Sequence, residues 1–424
     1  MSNAAWIATV IFILAYSVIV SEKVHRTKVA LTGGAALLLL KVLGQEEAIR
    51  AIDFNTIGLL IGMMMIVGVT RQTGLFEYLA VKAAKAVGGN PGKILFVFFA
   101  LTAIASALLD NVTTVLLLTS VTFAVSDVLE IDPTPYLIAE ILASNIGGTA
   151  TLIGDPPNIM IGSAASLGFN DFLINLMLPV IVIGVITCCI LYLLFRRSLK
   201  TLPERSRQIM AMNEQTFLTN PALLRKCLIA LGLTIAGFVL HQQLHLNSAT
   251  VAMAGAAGLL LAKEISLDEL FKEVEWNTIF FFVGLFILVG GLEATGVIKL
   301  VAQWAIDVTQ GNFLMMNFLI LWLSAFASAF VDNIPFVATM IPFLKSMAEI
   351  TGVDIGALWW TLSLGACLGG NGTIIGASAN VVVSSLAAAH GRPISFLRYL
   401  KIAFPLMLLS IVISNIYIYF VYLR

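Results

Sequence analysis

The chain has 424 residues, 59% of them hydrophobic and 11% charged, with a mean hydropathy of +0.98. Soluble proteins carry about 25% charged residues, so a soluble helical bundle with charged outer faces is excluded. The 24 basic and 24 acidic residues cancel, which leaves no electrostatic basis for a nucleic-acid partner; the partners expected are the lipid bilayer and a small inorganic or organic ion.

Apolar runs at Trp6–Val20, Ile57–Thr70, Phe172–Phe195 and Ile402–Leu423 are suited to crossing a bilayer core, the shorter ones marginally. Met1–Ser21 lacks a basic leader and a small-residue cleavage site, so it is expected to be the first spanning helix rather than a signal peptide. Cys188, Cys189, Cys227 and Cys367 lack metal-ligand spacing and are expected to be buried helix-packing residues.

An internal repeat decides the architecture. DFNTIGLLIG at Asp53–Gly62 matches EWNTIFFFVG at Glu275–Gly284, and SALLDNV at Ser106–Val112 matches SAFVDNI at Ser328–Ile334. SNIGGTATLIGDPPN at Ser144–Asn158 matches ACLGGNGTIIGASAN at Ala366–Asn380, Gly74 falls on Gly296, and Lys41 on Lys263, all at an offset of 222. Each half reads as three helices, a long apolar segment broken by Asp-Asn, a helix broken by glycines, and a last helix. The first repeat is residues 1–195, the polar cytoplasmic linker 196–225, and the second repeat 226–424.

The broken segment Lys93–Val125 is either one long helix or a re-entrant hairpin turning at Asp110-Asn111. With the hairpin, each half has five crossings, and an odd number inverts the second half relative to the first. That topology puts 19 of the 24 Lys and Arg residues on the cytoplasmic side, as the positive-inside rule requires. The predicted fold is therefore an all-α polytopic membrane protein of two inverted-topology repeats. Each repeat holds five spanning helices, one re-entrant hairpin and an interrupted helix, an arrangement of secondary transporters. Both termini are predicted outside, with the protein in a bacterial inner membrane.

Asp110 and Asp332, each followed by Asn (Asn111, Asn333), sit in apolar segments, where a carboxylate costs roughly 2.5–3.5 kcal/mol and function is the default reading. They also suit helix N-caps. The second signal is the glycine-rich break Gly147-Gly148-Thr149 through Gly154-Asp155-Pro156-Pro157-Asn158, mirrored by Gly369-Gly370-Asn371-Gly372-Thr373 and Gly376 to Asn380. A broken helix exposes carbonyls on one arm and amide donors on the other. Asp155 and both prolines have no counterpart in the second half, and Glu140 falls opposite Leu362. Gly62 and Gly68 read as close-packing residues, and Asn55 and Asn277 as helix caps.

The expected ion and substrate ligands are thus Asp110, Asn111, Thr113, Thr149, Asp155, Asn158, Asp332, Asn333, Asn371, Thr373 and Asn380. Asp110, Asp155, Asp332 and Glu140 are candidates for proton coupling, and Asp110, Asn111, Asp332 and Asn333 for a bound sodium ion, with no other cofactor expected. Three carboxylates with no Lys or Arg placed among them favour a cation or protons as one transported species. An intramembrane aspartyl protease would also use two acids, but it has no need of the repeated asparagines, and no enzyme activity is expected. A passive channel is a further alternative.

LLDNVTTVLLLTSVTF, NIGGTATLIGDPPNIM, VDNIPFVATMIPFL and ACLGGNGTIIGASANVVV resemble the signature segments of the arsenite permease and Na+/H+ antiporter family of the ion transporter superfamily. They are most similar to its melanosomal P protein branch. The resemblance implies a homodimer and elevator-type alternating access, with a mobile unit placed at about 94–166 and 313–388 and the rest as scaffold. It also implies arsenite or antimonite efflux or Na+/H+ antiport. The superfamily's dicarboxylate branch carries Ser-Asn-Thr at its hairpin tips, where this chain has Asp110-Asn111-Val112 and Asp332-Asn333-Ile334. A sodium-coupled citrate or dicarboxylate carrier is therefore the alternative.

Overall fold

The structure, a computed structural model, describes residues 1–21, 23–261 and 265–424. Lys263, the repeat partner of Lys41, lies outside the described residues. The first half comprises α1 (Asn3–Ser21), α2 (Arg26–Leu39), α3 (Gln45–Ala51), α4 (Phe54–Gln72), α5 (Leu75–Ala86), α6 (Pro91–Leu108), α7 (Asn111–Leu129), α8 (Thr134–Thr149), α9 (Pro156–Ala165) and α10 (Phe169–Phe195). After α11 (Pro203–Ala211) in the linker, the second half repeats the series. It runs α12 (Pro221–Leu240), α13 (Ser248–Leu260), α14 (Leu267–Lys272), α15 (Trp276–Ala294), α16 (Val297–Thr309), α17 (Phe313–Phe330), α18 (Asn333–Thr351), α19 (Gly356–Gly369), α20 (Ser378–Ala389) and α21 (Phe396–Ile418). The bounds of α4, α6 and α7 recur 222 residues later in α15, α17 and α18, so the duplication reaches beyond the aligned motifs into whole helices.

The same local chemistry starts matching helices in both halves. Asn90 caps α6 by accepting the Lys93 N–H at 3.1 Å, and Asn312 caps α17 through the Met315 N–H at 3.1 Å. Gly74 (φ 75°) and Gly296 (φ 77°) turn the chain into α5 and α16 in the left-handed region that favours glycine.

Ten helices among the described residues are long and apolar enough to cross a membrane. Four of these, α6, α7, α17 and α18, are hairpin arms; with the shorter α2 and α13 and the broken pairs α8–α9 and α19–α20 counted in their place, each half has five crossings. The pairs α6–α7 and α17–α18 form hairpins, and the odd number of crossings inverts the second repeat. The halves interlock: α4 runs along α13, and α15 along α2. Gly62 and Gly284 make these approaches possible. A Cβ on Gly62 would lie 2.6 Å from the Ala252 carbonyl carbon, and one on Gly284 2.5 Å from that of Ala30, mirror contacts of the kind that small residues permit.

All of α8 is buried, and it packs against α19 at the centre of the molecule. By contrast α1 and α12 present mostly exposed apolar side chains, a face suited to lipid. Cys188, Cys227 and Cys367 are buried as expected, but Cys189 is exposed; one residue round the helix from Cys188, it lies on the outward face of α10. The linker is folded rather than slack. Lys85 Nζ on α5 lies 2.5 Å from Glu214 Oε2 and donates to the Met212 carbonyl at 2.8 Å.

Candidate ion-binding site

Only Leu109 and Asp110 separate α6 from α7, and both are extended, so the chain reverses sharply there. The Asp110 carboxylate accepts the Thr113 N–H at 2.9 Å, and Asp332 accepts that of Ile334 at 3.1 Å. Both tip aspartates cap the second arm of their hairpin, which leaves further oxygen lone pairs for a ligand.

Each broken helix is stitched by its terminal asparagine. Asn158 Nδ2 donates to the carbonyls of Gly148, Thr149 and Thr151 at 3.4, 3.1 and 2.9 Å. Asn380 Nδ2 does the same to Gly370 and Thr373 at 2.7 and 2.8 Å. Pro156 and Pro157 open α9, where the missing N–H groups have no intrahelical acceptor to lose. The glycines hold the two arms together. A Cβ on Gly148 would fall 2.6 Å from the Gly154 oxygen, and one on Gly376 would fall 2.6 Å from the Gly370 oxygen. Gly147 and Gly369 serve close helix packing instead, against the Ala103 and Ala325 backbones of α6 and α17.

An asparagine that the sequence reading passed over links these pieces. Asn145 Nδ2 donates to Asn371 Oδ1 and Asn380 Oδ1, each at 2.9 Å, and its Oδ1 accepts from Asn111 Nδ2 at 3.2 Å. One side chain thereby joins a hairpin tip to the other half's broken helix. A buried amide one turn beyond Glu140 on the same helix, four residues before Thr149, was the available signal. Its mirror residue, Cys367, contacts Asn158 Oδ1 at 3.5 Å, beside Ser363 Oγ at 2.6 Å.

Asp155 is 1% exposed, and Asn333 Nδ2 donates to both of its oxygens at 3.3 Å. Asp110, Asn111, Asp155, Asn333 and Ser378 line a cavity of about 40 Å³, together with Arg26 and Glu275. Arg26 corrects the expectation that no basic residue stands near the acids. Its Nη1 donates to Asp332 Oδ2 at 2.7 Å and to Ser378 Oγ at 2.9 Å, while Ser378 donates to the same carboxylate oxygen at 2.8 Å. The guanidinium also sits over the Phe281 ring, 5.0 Å from its centroid, a favourable cation–π placement. Sequence reading missed it because Arg26 lies at the start of α2, 306 residues from Asp332, and reads there as an ordinary cytoplasmic positive charge. The mirror position is Ser248, so only one half has this cation.

The remaining expected residues divide. Thr113 supplies a capping N–H. The Thr149 hydroxyl donates to the Asn145 carbonyl at 2.7 Å, and that of Thr373 to the Ala329 carbonyl, which leaves the lone pairs of each hydroxyl oxygen as acceptors. Glu140 is fully buried between α7 and α8, hydrogen-bonded by Thr119 and Thr122, eleven residues along α7 from the tip, ~16 Å by helical rise. For the sodium set, Asp110, Asn111 and Asn333 line the cavity, while Asp332 stands at its edge with one oxygen taken by Arg26. Asn55 is not a cap. Asp53 caps α4, and the Asn55 side chain bridges Ser163 and the Ala249 N–H, both at 3.1 Å.

A duplicated all-helical membrane fold, with acids and amides gathered where two broken helices meet, defines a membrane transporter. The family model for citrate transporters matches residues 16–365, and the chain belongs to that family. It is 44% identical over 422 residues to an uncharacterized transporter of Mycobacterium tuberculosis, covering 98% of both chains. It is 43% identical over 425 residues to a 46 kDa membrane protein of Mycobacterium leprae, covering 98% of this chain and 99% of that one. The P protein of Mus musculus is 35% identical over 503 residues; the match takes in 98% of this chain but 60% of that longer protein. In fold, the chain is similar to the crystal structure of the YdaH transporter of Alcanivorax borkumensis, with TM-score 0.59, 13% identity and 98% coverage of both.

Proposed function

We propose that this protein is a secondary active transporter coupled to protons or sodium ions. The observation that carries this reading is Asp155, a carboxylate buried at a helix break that has no ion-pair partner among the described residues. A charge so placed is costly unless it holds a proton or a cation. Asp110 borders the same cavity, and a volume near 40 Å³ suits a water-sized occupant. It is far below the roughly 300 Å³ of ordinary organic-ligand pockets.

In this reading Asp110, Asp155 and Asp332 bind the cation or proton, with Asn111, Asn333 and the break carbonyls completing the oxygen shell. Arg26 is the internal counter-ion that occupies Asp332 when the site is empty. Residues 94–166 and 313–388 move as a unit against the scaffold, in an elevator-type alternation. The similarity to the P protein and the Asp-Asn tips support Na+/H+ antiport or arsenite and antimonite efflux. The bacterial relatives and the Lys/Arg distribution support an inner-membrane location with both termini outside, and the resemblance supports a homodimer.

A second reading, a sodium-coupled carrier of citrate-like anions, is favoured by Arg26 itself and by the family to which the chain belongs. One experiment separates the two. Proteoliposomes with an imposed pH gradient and an internal pH-sensitive dye are given sodium, lithium, arsenite and citrate in turn. The first reading expects a proton signal on a monovalent cation or arsenite without citrate. Uptake of radiolabelled citrate that requires sodium, with or without a proton signal, selects the second. Neither a proton signal nor labelled uptake of any member, with intact folded protein, overturns both.

A further inference from the structure

The two halves are alike internally but unlike in how they meet the rest of the molecule. Within the central unit, α6 packs on α8 as α17 does on α19, and α7 on α20 as α18 does on α9. Outside it the symmetry fails: α4 packs on α9, whereas α15 packs on α18, and these two pairings are not mirror images.

On the first side an acid, an amide and a hydroxyl form a closed contact. Ser163, the eighth residue of α9, donates to Asp53 Oδ1 at 2.9 Å and accepts from Asn55 Nδ2 at 3.1 Å. The mirror residues keep the same chemistry: Glu275, Asn277 and Ser385. Yet there the contact is unmade. Glu275, Asn277 and Ser385 are all exposed, and the Glu275 carboxylate accepts its own helix's Thr278 hydroxyl at 3.0 Å. Glu275 instead lines the cavity beside Ser378, the first residue of α20, seven positions short of Ser385.

We infer that Asp53–Asn55–Ser163 and Glu275–Asn277–Ser385 are alternating latches, one closed in each of two end positions, and that this structure is the first position. Three mirror residues retaining matching chemistry while standing apart and exposed are what an unmade contact of the second position leaves behind. The seven-residue offset between Ser378 and Ser385 sets the travel at ~10 Å along the helix axis. At the far end Glu275 meets Ser385, and Asp53 comes to face Pro156, the mirror of Ser378. Arg26 has no mirror cation, so the far position lacks its clamp on Asp332, and the Glu275 latch is what holds it.

The inference rests on the two-position reading of the transporter, and its test needs no knowledge of the cargo. Full-length protein in liposomes carries Asp53→Cys with Ser163→Cys, or Glu275→Cys with Ser385→Cys. Each is oxidised with copper phenanthroline, denatured and counted for free thiols with polymer-linked maleimide. The unaltered protein, with its four native cysteines, gives the background. Both pairs are expected to lose two thiols, and locking the first pair is expected to prevent closure of the second in a protein carrying both. Closure of the first pair with none of the second overturns the inference, as does simultaneous closure of both.

If a pair does not fold, the labelling rate of a lone Glu275→Cys in a Cys189→Ala background replaces it. Ser163→Ala is expected to slow labelling by up to about five-fold, the worth of one hydrogen bond, because weakening the first latch moves the population to the position that covers residue 275. Equal rates overturn the inference. Alternating latches in a protein that moves no ion in the gradient assay would leave the latches standing and remove the transport reading alone.

Discussion

Replacing Arg26 by Gln distinguishes the roles open to this residue. The guanidinium donates to Asp332 at 2.7 Å and to Ser378 at 2.9 Å, with side chains 29% and 15% exposed for Arg26 and Asp332. A charge-assisted hydrogen bond in such a half-buried place contributes ~1.5–3 kcal/mol. At about 1.4 kcal/mol per factor of ten, an internal counter-ion of that strength weakens a competing cation ~10- to 100-fold, and residual solvent screening draws the figure to the lower end. Arg26→Gln should therefore tighten sodium or lithium binding by roughly tenfold. Arg26→Lys, which keeps the charge but loses the planar fork, should fall between. Scintillation proximity with radiolabelled sodium on purified protein measures affinity, and initial proton fluxes at graded sodium measure the apparent KM. Unchanged affinity would refute the competition argument. Loss of citrate uptake with no cation effect would instead make Arg26 the anchor for an anion.

Other outcomes follow from the same geometry. Asp110→Asn and Asp332→Asn should abolish gradient-driven flux in proteoliposomes while the protein stays folded, because Asn caps a helix about as well as Asp; unchanged transport in both would remove these acids from the mechanism. Asn145→Leu strands Asn371 Oδ1, Asn380 Oδ1 and Asn111 Nδ2. At ~1–3 kcal/mol for each buried group left unsatisfied, it should lower the thermal midpoint in detergent well beyond the effect of an apolar swap on α12. Gly147→Ala should prevent folding, since its Cβ would lie 2.1 Å from the Ala103 oxygen. Gly232→Ala meets nothing within 4 Å and should be neutral or stabilising by up to ~1 kcal/mol, with size-exclusion yield as the measure of both.

Much of the fold was legible because duplication writes it twice. The 222-residue offset located matching helices, and the Asp-Asn and glycine-rich breaks marked where regular backbone stops, since Asp, Asn, Gly and Pro act on their nearest neighbours. Local rules also foretold that Asp110 and Asp332 would cap α7 and α18. They misjudged Asn55, whose partners Ser163 and Ala249 belong to other helices, and Cys189, whose exposure depends on how α10 is turned. Glu140 could be recognised as a buried acid, but its distance from the cavity could not be read from the chain.

What the amino-acid order alone determined was the membrane environment, the two repeats, their breaks and the acids and amides set at those breaks, all carried by composition, periodicity and short-range backbone chemistry. Only the tertiary structure brought Arg26 to Asp332, made Asn145 the link between a hairpin tip and the other half's break, and closed the Asp53–Ser163 contact while leaving Glu275 and Ser385 apart. Those pairings join residues from about thirty to more than three hundred positions apart. Their physical origin is the interlocking of two inverted halves, which places the start of one helix beside the middle of another with no trace in the local sequence of either.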